Sequence, residues 1–273
     1  MSNRKNTKRG NLPELPPVIC FRITRNCNSR CCFCFAPPRG IQPDGDILIH
    51  RIDWLRANGV RTIHFCGGEP TIHPSLSLLL KHVHEGGGKV RLTTNGIAIS
   101  DNLIGVLRET DARVKVSLHG NQKHHDGILC VEGFENTTRN IRRLIAGGVR
   151  TSVQTTVVAN EMWVVDWVAD FCREAGVRRL SFLPFVARGR GEDCKDTYLL
   201  SKAQRRTLRD MVKNKRRLLS GRIDVRWLDF TARPYLVADA DGKVVLEGVA
   251  GIGNKVLFEI PGPSGAEGRC LTF

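Results

Sequence analysis

From about residue 17 to residue 219 the chain alternates two hydrophobic rhythms. Runs near 17–24, 60–66, 89–94, 112–118, 150–158 and 178–185 are short, apolar and rich in β-branched residues, which predicts strands. Between them, near 46–57, 74–86, 101–109, 134–147 and 163–175, and again at 201–219, apolar residues recur at helical spacing. Six strand–helix units in series predict a parallel sheet. The strands are too apolar to face water, so helices are expected to cover one side and a filled barrel interior the other. The fold class expected is α/β, a partial (β/α)6 TIM-like barrel, which puts its chemistry at the C-terminal strand ends.

After residue 222 the rhythm changes. Short strand-like runs at 223–229, 235–238, 243–247 and 255–258 are separated by Asp241-Gly242, Gly251-Ile252-Gly253 and Pro261-Gly262-Pro263, which predicts a small C-terminal β-rich extension. Three segments are expected: a basic, disordered tail over 1–16, a core barrel over 17–222 and an extension or cap over 223–273.

At 273 residues the chain can bury a substantial core. No stretch of 18 apolar residues occurs and the basic N-terminus has no apolar run behind it, so neither a membrane span nor a signal peptide is expected. The compartment expected is cytoplasmic, where ten cysteines read as reduced thiols and a metal site rather than as disulfides. The formal charge is +15, and it is concentrated. Residues 1–11 carry Arg4, Lys5, Lys8 and Arg9 without an acid, while residues 201–222 carry nine Lys or Arg against Asp210. In that second segment Leu208, Met211, Val212, Leu218 and Leu219 form one apolar helical face, so it reads either as a packed helix with a solvated basic side or as a basic rim that steers an anionic substrate.

The chemistry concentrates in Cys27-Asn28-Ser29-Arg30-Cys31-Cys32-Phe33-Cys34. Thiols at 27, 31 and 34 are spaced to hold a [4Fe–4S] cluster from one loop, and no obvious fourth ligand follows. An iron without a protein ligand is an open coordination position, the mark of a metal site that does chemistry. A structural zinc site would want a second pair of ligands. None stands in the sequence, because Cys130, Cys172, Cys194 and Cys270 are isolated and Cys20 and Cys66 lie in strand-like runs where cysteine acts as a small hydrophobe. Cys172, Cys194 and Cys270 could still converge in space. An electron-transfer cluster is the other bland reading of the loop. Cys32 would change both spacings if it replaced Cys31, and it is read as a bystander.

One strand–helix–strand unit later, the strand at 60–66 runs into Gly67-Gly68-Glu69-Pro70. Two glycines after a strand permit close backbone approach, Pro70 ends the ladder, and Glu69 sets a carboxylate beside the bared backbone, which suits a cationic amine. Two further strands close on small polar residues, at Thr93-Thr94-Asn95-Gly96 and Ser117-Leu118-His119-Gly120. Asn95-Gly96 is also simply a good turn dipeptide.

The three-cysteine spacing with an aromatic residue, Phe33, before the last thiol resembles the cluster motif of the radical S-adenosylmethionine (radical SAM) enzymes, and Gly67-Gly68-Glu69-Pro70 resembles the family's methionine-binding segment. The resemblance implies Cys27, Cys31 and Cys34 as metal ligands, Gly67, Gly68 and Glu69 around the methionine ammonium, and Asn95, Ser117 and Gln154 along the rest of the cofactor. It implies a [4Fe–4S] cluster and S-adenosyl-L-methionine as cofactors, reductive cleavage to a 5′-deoxyadenosyl radical, and hydrogen abstraction from a small-molecule, nucleotide or peptide substrate. An electron donor such as flavodoxin or ferredoxin is implied as partner; no membrane or nucleic-acid partner is. Candidate substrate groups are His119, His124, His125 and Asp126, Thr155 and Thr156, and Arg188 and Arg190. His124-His125-Asp126 also reads as a metal site or as a plain surface loop.

Within the family, Ser117-Leu118-His119-Gly120 resembles the group that holds molybdenum-cofactor cyclases and peptide-maturing enzymes. Thr24 to Asn28, Phe33-Cys34-Phe35 and Tyr235 to Asp239 are similar to viperin-like nucleotide enzymes, but Ala36-Pro37-Pro38-Arg39-Gly40 departs from that group. The rival from another class is an iron–sulfur redox or nucleic-acid-binding protein without SAM chemistry, for which Gly67-Gly68-Glu69-Pro70 would have no use.

Overall fold

A computed structural model describes residues 15–231, 234–248 and 253–263. Gly251-Ile252, Cys270 and most of the basic N-terminal tail lie outside the described residues. The core alternates β1 (Val18–Arg22), α1 (Gly45–Ala57), β2 (Thr62–Cys66), α2 (Leu76–Glu85), β3 (Lys89–Thr94), α3 (Asp101–Glu109) and β4 (Arg113–Ser117). It continues through α4 (Gln122–Leu129), α5 (Phe134–Ala146), β5 (Arg150–Val157), α6 (Val164–Glu174), β6 (Arg179–Pro184), α7 (Lys195–Tyr198) and α8 (Lys202–Leu218). Four short strands follow: β7 (Asp224–Trp227), β8 (Tyr235–Ala238), β9 (Lys243–Glu247) and β10 (Lys255–Glu259).

The ten strands of the described residues form one sheet in the order β10-β9-β8-β1-β2-β3-β4-β5-β6-β7. Pairing is parallel from β8 through β7, and β9 and β10 add antiparallel turns at one edge. The strands after residue 222 extend the sheet at both edges: β7 joins β6, and β8 joins β1.

The inner face of the sheet departs from the filled interior expected above. Along β1 to β7 the buried residues alternate: Ile19, Phe21, Ile63, Phe65, Val90, Leu92, Val114, Val116, Val153, Leu180, Phe182 and Val225 are all nearly inaccessible. Successive strand side chains point to opposite faces, so the intervening residues share the other face. These are Cys20 and Arg22, His64, Arg91 and Thr93, Lys115 and Ser117, Gln154 and Ser181, and they line a cavity of about 740 Å³. One face of the sheet is an apolar wall under the helices and the other is a polar lumen. The runs looked uniformly apolar because cysteine, threonine and serine are small, and because each cation stands alone between two apolar residues.

Helix α8 is a packed element. Leu208 and Val212 are buried, Arg205 forks onto Asp229 with a further bond to Thr231, Arg209 stacks on Trp227, and Arg216 donates to the carbonyl of Val225 at 2.8 Å. A capping box between Ser201 and Gln204 starts it. Much of the charge that suggested a steering rim is thus spent on local contacts.

Candidate active site

Beyond β1 the chain turns into the cysteine loop, and neighbouring elements hold that loop by its backbone. Gly68 N donates to Thr24 O at 2.9 Å and Glu69 N to Asn26 O at 2.8 Å. A Cβ on Gly68 would stand 1.9 Å from Asn26 O, so only glycine allows this contact. The close approach expected at Gly67-Gly68 is made to the cysteine loop itself. On the loop's other side, Arg30 N and Cys32 N donate to the carbonyls of Leu129 and Ile128, at the C-terminal end of α4 where helix carbonyls lack intrahelical partners.

The loop sends its thiols in two directions. Cys27, Cys31 and Cys34 line the lumen cavity, with the Ser29 hydroxyl 3.2 Å from the sulfur of Cys27 and 3.5 Å from that of Cys31. Cys32 turns away and hydrogen-bonds Tyr198. Cys194 sits on that far side, donating to Cys32 O at 3.6 Å, and Cys172 is buried in α6. Among the described residues no three His, Cys, Asp or Glu converge on a single metal position. Burial raises the Cys27 thiol and pushes Cys31 up to about 12, so loading iron must displace protons from them.

Glu69 is buried at the head of a short 3-10 turn and joins three chain segments. One carboxylate oxygen accepts from Thr71 N, Thr71 Oγ1 and Thr94 Oγ1 at 3.0, 2.7 and 2.7 Å. The other accepts Asn95 N at 2.7 Å, and Glu69 is among the residues lining the cavity. Burial raises its pKa, opposed by these hydrogen bonds. Asn95 makes its own turn by accepting Ile97 N, and its Nδ2 donates to Asn28 Oδ1 at 2.7 Å, tying the cysteine loop to the end of β3. Ser117 and Gln154 are register partners on the cavity wall, and Gln154 Oε1 is buried with no hydrogen-bond partner among the described residues. An acceptor left open in a cavity wall fits a ligand that brings the donor.

His119 also lines the cavity, edge-on to Phe33 with ring centroids 5.3 Å apart. Its Nδ1 accepts Thr156 N at 3.3 Å, and burial holds it well below the usual histidine range, so the ring is neutral with its proton on Nε2. The neighbouring candidates have other tasks. His125 is wholly buried on α4 and accepts His119 N, Asp126 caps α5 through Gly133 N and Phe134 N, and His124 packs on Trp163. Of the remaining candidates, Thr155 bonds the Leu118 carbonyl, Thr156 faces the cavity, Arg188 pairs with Glu247, and Arg190 reaches Arg30 O at 3.2 Å.

Sequence reasoning did not reach the ion network at the root of the loop. Arg22 and Arg25 both bond Asp239, and Arg22 and Arg188 share Glu247. Asp239 follows β8 and Glu247 ends β9, so the C-terminal strands anchor the arginines that flank the cysteine loop.

An open, mostly parallel α/β barrel with three thiols of one loop lining its cavity at the C-terminal strand ends has the layout of a cofactor-dependent barrel enzyme. The model of the Radical SAM superfamily matches residues 21–183, and the chain belongs to that superfamily, whose members use a [4Fe–4S] cluster and S-adenosylmethionine. It is 28% identical over 181 residues to the Fe-coproporphyrin III synthase of Methanosarcina barkeri, which covers 64% of this chain and 45% of that protein. It is 27% identical over 189 residues to the subtilosin biosynthesis protein AlbA of Bacillus subtilis, covering 66% of this chain and 42% of that one. The chain thus spans less than half the length of these two relatives. In fold it is similar to Streptococcus suis SuiB, with a TM-score of 0.71 at 18% identity over 85% of this chain and 60% of that chain. SuiB has also been solved with S-adenosylmethionine and with its precursor peptide SuiA.

Proposed function

We propose that this chain reductively cleaves S-adenosylmethionine at a [4Fe–4S] cluster held by Cys27, Cys31 and Cys34, and abstracts hydrogen from a substrate seated in the barrel lumen. The observation that carries this reading is the sorting of one loop's four thiols: three face the same cavity as Glu69, Ser117 and Gln154, and Cys32 faces away from it. When bound, the reduced cluster supplies the electron that breaks the S–C5′ bond and so makes the radical that attacks the substrate.

The chain's own residues bind and orient. Glu69 offers a carboxylate oxygen with one described donor, able to take the methionine ammonium, while Ser117 and the open acceptor of Gln154 meet the remainder of the cofactor. His119 and Phe33 wall the cavity beside the thiols and limit water there. An electron donor such as flavodoxin or ferredoxin and a reducing, cytoplasmic setting go with this reading. Among the described residues no helix is long and apolar enough to cross a membrane. The substrate is a small molecule, a nucleotide or a peptide, as the spread of relatives from a porphyrin synthase to a peptide-binding maturase suggests.

The test is anaerobic reconstitution followed by dithionite and S-adenosylmethionine, with 5′-deoxyadenosine measured by chromatography. The parent should form it, and Cys27→Ala and Cys34→Ala should not. A parent protein that takes up iron and sulfide but forms no 5′-deoxyadenosine would favour a plain redox or nucleic-acid-binding protein.

A further inference from the structure

The lumen below the proposed cofactor site gathers cations, three of which have no carboxylate partner among the described residues. Arg91, Arg113, Lys115, Arg179 and Arg226 all line the cavity. Asp224 pairs with Arg179 and with Arg226. Among the described residues no carboxylate pairs with Arg91, Arg113 or Lys115, and the one carboxylate on the cavity wall, Glu69, is engaged at the top.

Strand register makes these residues one patch. Arg91 and Arg113 are register partners, Lys115 is partnered by Thr93 and Ser152, and Arg226 is partnered by Ser181. Burial disfavours the ammonium form of the half-buried Lys115; Cys20 on the same wall opposes this, and the charges of Arg91, Arg179 and Arg226 add to it, so the net shift is downward. Arg91 and Lys115 are half-buried and Arg113 is exposed at the start of β4, and half-buried cations gathered with so little counter-charge carry an electrostatic cost that an anion relieves. Charged and hydroxyl groups converging in a cavity of this size are what a small polar ligand requires.

We propose that the lumen binds the substrate through a multiply charged anionic group, phosphate or clustered carboxylates, held by Arg91, Arg113 and Lys115. This rests on the reading of the upper cavity as the S-adenosylmethionine site and names the class of substrate that reaches it. Along β4, Lys115 lies two residues and Arg113 four residues before Ser117, or roughly 7 and 13 Å at a strand's rise per residue. A substrate anchored there by its charged end presents its other end to the cofactor. Steering toward the site comes from the lumen rather than from α8, whose Arg205, Arg209 and Arg216 are engaged in its own packing.

The experiment is anaerobic calorimetry on the cluster-reconstituted chain saturated with S-adenosylmethionine, so that no added anion reaches the open iron. Pyrophosphate and citrate are titrated separately at low and at physiological salt. At least one should bind saturably and more weakly in salt; tighter pyrophosphate points to a phosphorylated substrate and tighter citrate to a polycarboxylate. An Arg91→Gln/Arg113→Gln/Lys115→Gln variant should bind at least about tenfold more weakly, the scale of lost charge-assisted bonds. Lys115→Arg should bind as the parent does, and so should Lys213→Glu/Arg217→Glu on the outer face of α8. If the triple variant does not take up its cluster, Arg113→Gln and Lys115→Gln singly give the same reading at smaller size. No saturable binding of either anion, or equal binding in parent and lumen variants, overturns the proposal. Failure of the parent to bind S-adenosylmethionine is a separate result, and it sinks the proposed function instead.

Discussion

Arg22, Arg25 and Arg188 are each under 10% exposed, and each meets a carboxylate: Asp239 for the first two, Glu247 for Arg22 and Arg188. A few residues down the same barrel, Arg91, Arg113 and Lys115 have cavity in front of them and no carboxylate partner among the described residues. The two groups are alike in sequence, single cations within or beside strands. They differ in what faces them. A buried cation whose partner is supplied by the chain fixes backbone, here the root of the cysteine loop; one facing an open lumen is left to a ligand. At Arg22, though not at Arg25, whose pKa burial lowers, the pairing also shows in titration. Although burial alone would lower the Arg22 pKa, Glu247 and Asp239 hold it above the ordinary arginine value, whereas Lys115 is lowered by burial and by the surrounding arginines.

Breaking the paired group should have the largest effect. Glu247→Gln strands Arg22 and Arg188 in the interior and should cost about 3–5 kcal/mol in urea unfolding, the scale for removing one partner of a buried ion pair. Asp224→Asn, at an exposed pair, should cost less than about 1 kcal/mol. Equal losses in the two variants would erase the distinction drawn between the groups.

Acid should find the buried groups next. His125 is held down to about 4 by burial, so between roughly pH 6.5, where the unfolded ring titrates, and pH 4 the unfolded chain binds a proton that the folded one refuses. Stability must therefore fall as pH drops through that window, by up to about 3 kcal/mol from this ring. Glu247 adds to the fall at lower pH: burial would raise its pKa, but Arg22 and Arg188 hold it below the ordinary value, and stability is lost as it protonates. Denaturation midpoints followed from pH 7.5 to 4 should show a slope that His125→Gln reduces. An unchanged slope would mean that His125 is not the buried neutral ring described here.

Glu69→Gln should keep the cluster and weaken S-adenosylmethionine binding by about 1.5–3 kcal/mol, since one charge-assisted contact is lost. Calorimetry reads this directly, and unchanged affinity would reduce Glu69 to its bonds with Thr71, Thr94 and Asn95. The smallest effect belongs to the unpaired group. Lys115→Met should leave stability unchanged or raise it by less than about 1 kcal/mol, because relief from like charge offsets the substitution. A clear loss would show that Lys115 has a stabilising partner and is not waiting for one.

Much of the frame was legible beforehand, because strand period and helix period are local signals. The expected run at 89–94 coincides with β3, and those at 235–238 and 243–247 coincide with β8 and β9. Helix α4 was read as a loop. Its first turns, Gln122-Lys123-His124-His125, are polar, and Gly127 interrupts them, yet the cap Asn121 and the buried spacing His125, Ile128, Leu129 were there to be found. The polar lumen was misread because strands were judged by average apolarity instead of by alternate positions. Cys27, Cys31, Cys34 and Gly67 to Glu69 could be picked out because their chemistry is crowded into short segments. Glu247 could not: it stands more than two hundred residues from Arg22, and only the pairing of β8 with β1 brings β9 close enough.

The most direct test of the account is the electron paramagnetic resonance spectrum of the dithionite-reduced, reconstituted protein, recorded before and after S-adenosylmethionine is added. A cluster held by Cys27, Cys31 and Cys34 keeps one iron open, so the signal of the parent and of Cys32→Ala should change on addition, while Cys31→Ala should show no such cluster. A parent signal indifferent to S-adenosylmethionine, or a cluster lost in Cys32→Ala and kept in Cys31→Ala, would contradict it.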